Sequence, residues 1–342
     1  MTGENDGAHA ETAAKHAGLN GWVEAGLFSL ALAVLNVAYG LGQQYDVHPI
    51  ALLFWAMPTA AASLLMSSGL GPKWRAILRH PLSLVVGGGI IAMEAVYYVL
   101  LGYVNPTDGS VLVRLSVPIA IALGYVIAGR RPGWLGIAGG LVTLGTILWY
   151  APRAETVAPM TALTLGALCG FIMSGRSFAA EHHPWNRAAR TIREKMRVTG
   201  LVLGLASAVG IVLLFGAMAT AAGGIVPRPL WLPEVGHLVH GSAILIGLFV
   251  GVLVLTAMQY LGFSVVLKLG SERFIATSSF TPLTTLIVQT LAIAAGLLRP
   301  VAFDWGVLPA VAGLIVGVLF VITSRPTARK IRPTPVDMGE VS

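Results

Sequence analysis

The sequence predicts an all-α membrane protein, with ten transmembrane helices in two inverted five-helix repeats. Three observations point there: a composition too apolar for water, ten long apolar runs, and a few unusual residues that recur in the same order in both halves. Of 342 residues, 56% are apolar and 11% charged, against about 25% charged in soluble domains. Mean hydropathy is +0.79. Such a chain has too few polar side chains to cover a water-facing surface, so lipid is its natural solvent. The 41 Gly and 19 Pro exclude one long coiled coil, and a single Cys, Cys169, excludes an intrachain disulfide framework or a multi-Cys metal site. On such a chain the net charge of +7 reads first as orientation and not as nucleic-acid binding.

Residues 1–21 are small and polar, with Glu4, Asp6, Glu11 and Lys15 among them. No apolar run precedes Trp22, so no secretory signal is expected and the first apolar segment stays in the mature protein. The apolar runs follow in order. The first, 22–42, carries Asn36 in its interior, and the second, 49–67, carries Trp55. The third, 82–104, holds Glu94 with Tyr97 and Tyr98, and the fourth, 109–129, holds Arg114 and Pro118. A Gly-rich fifth run covers 133–150 and a sixth 160–179. The seventh, 198–222, follows the most basic connection, the eighth, 241–266, holds Gln259 and Tyr260, the ninth, 273–296, holds Pro282, and the tenth covers 304–323. Each is close to the roughly 20 residues a spanning helix needs. Backbone groups in hydrocarbon must be satisfied within the segment, so the runs are expected to be helical. Barrel strands would be about ten residues long and would alternate polar with apolar.

Lys73, Arg75 and Arg79 lie in one connection, Arg130 and Arg131 in another, and Arg176 to Arg197 in a third. Lys268 and Arg273 lie near the eighth connection, and Arg325, Arg329, Lys330 and Arg332 in the tail. A ten-span path puts all of them on one side and leaves Arg153, Arg228 and Arg299 on the other. By the positive-inside rule both termini are cytoplasmic, in a plasma membrane or bacterial inner membrane. The run 187–197 then reads as a topology signal and not as a nucleic-acid patch.

The halves share an ordered set of features. Ala92-Met93-Glu94 in the third span matches Ala257-Met258-Gln259 in the eighth. Pro118 follows Glu94 by 24 residues, and Pro282 follows Gln259 by 23. Arg131-Pro132 then precedes Trp134, as Arg299-Pro300 precedes Trp305. A repeat of five spans is odd, so the second copy inserts upside down, a transporter architecture with its site between the halves. The chain divides into a polar cytoplasmic tail (1–21), a first five-helix repeat (22–151), a second (160–324) and a basic cytoplasmic tail (325–342).

Ten spans, the five-plus-five duplication and a proline in the fourth and ninth spans resemble the drug/metabolite transporter superfamily, EamA-like branch. Ser278-Ser279-Phe280-Thr281-Pro282-Leu283 and its counterpart Arg114-Leu115-Ser116-Val117-Pro118-Ile119 carry the resemblance, which covers about residues 22 to 324. The run from Glu94 to Leu101-Gly102-Tyr103 is similar to the third span of aromatic amino acid exporters of that superfamily. The chain departs from the group in its longer polar N-terminus, its loop at 223–240, and Arg130-Arg131 where many members carry an acidic residue. The resemblance implies a carrier that exports a small metabolite, an amino acid among the candidates.

A charge near the bilayer midplane costs about 2.5–3.5 kcal/mol on insertion scales and usually faces a cavity. Glu94 is therefore the first candidate for substrate or proton binding, with a structural ion pair as the alternative reading. Arg114 is expected either to bind a carboxylate or to neutralise Glu94, and together the two would suit a zwitterion. Gln259 is the repeat mate of Glu94 and needs a hydrogen-bond partner, helix or substrate. Tyr97, Tyr98, Tyr260 and Trp55 read as packing, as interface anchors, or as a set that cages an ammonium group or stacks on a ring. Asn36 and Arg176 hold roughly equivalent repeat positions, and Arg176 is expected to mark the cytoplasmic end. Pro118 and Pro282 read as hinges, or as static kinks. Glu24, two residues past Trp22, is expected at the interface. His182-His183 have no third ligand nearby, so no metal is expected, and no cofactor either.

A secondary transporter fits these features better than an intramembrane enzyme or a channel. The sequence has no H-E-x-x-H, no G-x-S-x-G, no intramembrane acidic pair and no P-loop, and no filter-like loop. The expected partners are a small-molecule substrate, membrane lipid, protons as a coupling ion and a second copy in a homodimer, with no nucleic acid. A proton-coupled exporter of cationic or quaternary amines is the alternative among carriers.

Overall fold

The computed structural model describes residues 19–154, 158–229, 232–299 and 305–324. The described residues are 83% helical and contain no strand. In chain order the principal helices are α1 (Gly21–Gln44), α2 (Pro49–Ser68), α3 (Pro81–Leu101), α4 (Pro106–Ala128), α5 (Trp134–Tyr150), α6 (Pro159–His182), α7 (Ile192–Ala222), α8 (Gly241–Leu269), α9 (Ser271–Ala294) and α10 (Val307–Thr323). Eight are long and apolar enough to cross a membrane; α5 and α10 are apolar but only 17 residues each. Each apolar run read from the sequence holds one of these helices. Residues 1–18, most of the expected N-terminal tail, and all of the tail 325–342 with its four basic residues lie outside the described residues.

The helix starts have a common chemistry. His48 and His80 each accept the backbone N–H two residues on, at 3.3 Å, and each is followed by proline. Asn105 accepts from Asp108 N at 2.9 Å, ahead of Pro106. A side-chain acceptor at the cap plus proline in the first turn satisfies one orphan donor and removes another. Thr191 and Glu194 form a capping box that starts α7 at Ile192. The helix thus begins six residues before the apolar run expected at 198, and draws the basic stretch into its first turns.

Two helices are broken alike. In α4 a seven-residue helix (Pro106–Leu112) gives way to a 3-10 turn (Val113–Leu115) and then to Ser116–Ala128. In α9 a seven-residue helix (Ser271–Thr277) gives way to a 3-10 turn (Ser278–Phe280) and then to Thr281–Ala294. Pro118 and Pro282 fall in the first turn of each second segment, where a missing N–H costs little. The break therefore lies in the 3-10 turn just ahead of each proline. The helix α8 also departs from regularity, through a π-helical stretch at Val250–Leu255.

The helices pack as α5 on α10, α2 on α7, α3 on α6, α1 on α8 and α9, α2 on α8, α3 on α7, and α4 on α6 and α9. Small residues permit the closest approaches, as expected where lipid offers no hydrophobic drive between helices. A Cβ on Gly139 of α5 would collide with the Gly317 carbonyl of α10, and one on Gly170 of α6 would come within 2.6 Å of Ser116 N at the break in α4. The short helices Trp74–Arg79 and Pro184–Ala188 lie in connections at the end of the bundle that carries most of the basic residues.

Candidate functional site

Glu94 lies on α3, 2% exposed, and its carboxylate Oε2 accepts the Tyr39 hydroxyl of α1 at 2.8 Å. Tyr39 is fully buried, with its ring centroid 5.7 Å from Tyr98 and 6.4 Å from Tyr97. Tyr98 turns its hydroxyl away to the Val47 carbonyl, 2.7 Å, and so ties α3 to the α1–α2 connection. The Tyr97 hydroxyl is buried without a partner. Tyr97 and Cys169 of α6 stand within electrostatic reach of both Glu94 and Arg114.

Arg114 does not pair with Glu94. Its Nε donates to the Ser110 carbonyl at 3.0 Å, and its Nη1 donates to the Ser278 carbonyl and hydroxyl at 2.6 and 2.7 Å. The guanidinium, 1% exposed, thus joins the two 3-10 turns. Backbone carbonyls freed where α4 and α9 break are acceptors a buried cation can use, and they satisfy Arg114 without a carboxylate.

The charge within reach of Glu94 is Arg176. The expectation that Arg176 marks a helix end is corrected: α6 continues to His182, three residues past the expected run, so Arg176 lies about 9 Å inside by helical rise. Its backbone packs against Gly89 of α3, where an added Cβ would meet Arg176 Cβ at 2.9 Å. No carboxylate lies within 4.0 Å of Arg176 or Arg114 among the described residues. Arg176 Nε is buried with no hydrogen-bond partner, as is Gln259 Nε2 on α8. The two side chains line one cavity of about 20 Å³, with Phe28, Val86, Phe263 and Phe274 around them.

The other sequence candidates divide. Asn36 faces the bundle interior and donates to Thr285 Oγ1 of α9 at 3.0 Å, with its own Oδ1 unpartnered. Tyr260 is half-buried within reach of Glu24, apart from the Tyr39–Glu94 pair. Trp55 donates its Nε1 to the Leu238 carbonyl at 2.8 Å, which fits the anchor reading among those the sequence left open. Glu24, in the first turn of α1, is buried and not exposed as expected, at 1% exposure, and Lys268 Nζ in the last turn of α8 binds its Oε1 at 2.7 Å. The run of residues 244 positions apart into one pair is invisible to local reading.

Some residues were missed. Asp108 is 2% exposed and accepts from Tyr150 Oη at 2.6 Å and Asn105 Nδ2 at 2.9 Å. It sits in the first turn of α4, just ahead of the apolar run expected from 109, and the pair Asn105-Pro106, an N-cap followed by a first-turn proline, is the signal that could have found it. Lys195 is fully buried against Ser264 Oγ at 3.2 Å. At the basic end, Glu181 is ion-paired with Arg130 and accepts from Ser271 N and Oγ at 2.9 and 2.6 Å, which ties α4, α6 and α9 together. Beside it, His183 is fully buried and hydrogen-bonds Ser83 through Nε2 at 2.9 Å, with the His80 ring 5.2 Å away. Burial, with His80 alongside, pushes the His183 imidazole down to about 4. Among the described residues no three His, Cys, Asp or Glu side chains gather as a metal site.

The sequence matches no protein-family model and no curated protein. A solved structure, described only as the crystal structure of a protein, is similar with a TM-score of 0.57 at 17% identity, over 88% of this chain and 96% of that one. At that identity the likeness shows a shared fold alone, and the fold is an all-helical bundle with eight helices long and apolar enough to cross a membrane.

Proposed function

We propose that this chain is a secondary carrier of the drug/metabolite transporter type, exporting a small polar or amphipathic metabolite by alternating access, and that it is not an enzyme. In this reading all ten helices cross the membrane, since 17 residues reach the short end of the spanning range. Both termini and the basic connections face the cytoplasm. The helix pairing supports an inverted five-plus-five arrangement. Adding five to each helix number maps α5–α10, α2–α7 and α4–α9 onto themselves, α3–α6 onto α1–α8, α1–α9 onto α4–α6, and α2–α8 onto α3–α7. The matched breaks in α4 and α9 support it too, because broken helices at a repeat interface are where such carriers bind and move.

The observation that carries the reading is Glu94 in the bundle interior, bonded to Tyr39 and within reach of Arg176 but within 4.0 Å of no cation among the described residues. A buried carboxylate without a close countercharge is costly and suits a group that takes up and releases a proton or an ammonium. A thermal screen of the purified chain against amino acids, amines and nucleosides would find the ligand, since binding to the folded state raises Tm. Counterflow of that ligand in proteoliposomes supports a carrier. Conductance without exchange would point to a channel and overturn the proposal.

A further inference from the structure

We propose that Arg176 and Gln259 form an anion subsite that takes the carboxylate of a small organic acid with an apolar tail. The inference rests on the carrier reading and names the substrate class of that same interior.

Two donors from different helices line one cavity, and each has an N–H with no acceptor, at Arg176 Nε and Gln259 Nε2. Gln259 is 4% exposed, so its unused donor is a real deficit. An unsatisfied buried donor costs about 1–3 kcal/mol, more if charged, and a group left in that state marks a place that a ligand can complete. Arg176 is cationic and offers only donors, and Gln259 presents its amide N–H beside it, so an acceptor that carries negative charge would complete both. Glu94 does not supply it at close range, because no ion pair forms within 4.0 Å and its Oε2 is engaged by Tyr39.

The rest of the lining is apolar. Phe28 and Phe274 meet edge to face at 4.8 Å beside Phe263. The cavity of about 20 Å³ has room for about one water-sized group, so as it stands it takes one carboxylate oxygen, and the rest of the ligand enters only as the phenyl rings part. By helical rise Arg176, Gln259 and Glu94 lie about 9, 15 and 20 Å from the basic end of their helices. The subsite is thus reached from the basic end before Glu94 is. That order places an anion head between the cytoplasmic face and the central carboxylate.

The test uses the full chain in detergent, with potassium butyrate, potassium chloride and neutral butyramide at matched concentrations. Butyrate should raise Tm saturably, while chloride and butyramide should not. Arg176→Lys should weaken the butyrate midpoint at least about tenfold, as loss of a charge-assisted hydrogen bond does. Gln259→Glu supplies the missing acceptor from within. It should raise Tm without ligand and abolish the butyrate response, which keeps the test decisive if the Arg176 variant fails to fold. An equal response to butyramide, an equal response to chloride, or full response in Gln259→Glu would each overturn the subsite. Butyrate stabilisation that depends on both residues but gives no counterflow in proteoliposomes would support the subsite and remove the carrier reading instead.

Discussion

Tyr39 donates its hydroxyl to Glu94 Oε2 over 2.8 Å, and both side chains are buried. The bond crosses from α1 to α3 and gives the carboxylate one neutral donor in place of a cation. A neutral donor holds the group in position whether or not it carries its proton, which a salt bridge would not do.

Tyr39→Phe should therefore destabilise the chain by about 1–3 kcal/mol, the cost of an orphaned buried acceptor. Glu94→Gln should leave Tm close to wild type, because the amide oxygen still accepts from Tyr39. Thermal unfolding in detergent measures both, and equal losses in the two variants would contradict this geometry.

Arg114 and Glu94 should behave as independent sites. Arg114→Gln should cost at least about 2 kcal/mol, since it removes charge-assisted bonds to the two helix breaks. Adding Glu94→Gln should not rescue it, and the coupling in a double-mutant cycle should stay below about 0.5 kcal/mol. Recovery of stability in the double variant would show that the two charges pair after all.

The apolar helices were legible because hydropathy is local and additive along the chain. The starts of α2 and α3 lie at Pro49 and Pro81, within a residue of the 49 and 82 read from hydropathy, whereas α4 begins at Pro106 and not at 109, because the Asn105 cap draws Thr107 and Asp108 into its first turn. Partnerships were not legible. Arg114 finds Ser278 and Lys268 finds Glu24 across 164 and 244 residues, and no local pattern encodes such pairs. Pro118 and Pro282 pointed to the broken helices but placed the break a few residues late. Glu94 and Gln259 were legible as intramembrane polar residues; Arg176 was misread because the end of α6 was set at 179 and not at His182.

His183 should give a pH-dependent stability. Its Nδ1 accepts from Asn186 N at 3.4 Å, so the buried ring fits its neutral form, with the proton on Nε2 toward Ser83. Below its unfolded value of 6.5 the unfolded chain binds a proton that the folded chain refuses until about 4. The stabilisation is full above pH 6.5 and is lost as pH falls from 6.5 toward 4. Tm measured across that window should drop, and His183→Gln should flatten the slope.

Pro118→Ala and Pro282→Ala should change stability by less than about 1 kcal/mol, because first-turn prolines remove donors that need no intrahelical partner. Each should slow exchange more than it weakens binding, by letting helix propagate into the 3-10 turn. Unchanged exchange in both would reduce the breaks to static features.

Topology has its own check. In a Cys169→Ala background, Arg190→Cys should label only from the cytoplasmic side and Gly236→Cys only from outside. Both positions are exposed. Labelling of Arg190→Cys from outside in sealed cells would overturn the ten-span arrangement.

Exchange in proteoliposomes, wild type against Glu94→Gln across pH, tests the central claim most directly. If Glu94 couples transport, the variant folds, yet its exchange falls at least about tenfold or loses its pH dependence. Wild-type exchange with unchanged pH dependence in a folded Glu94→Gln chain would contradict the account.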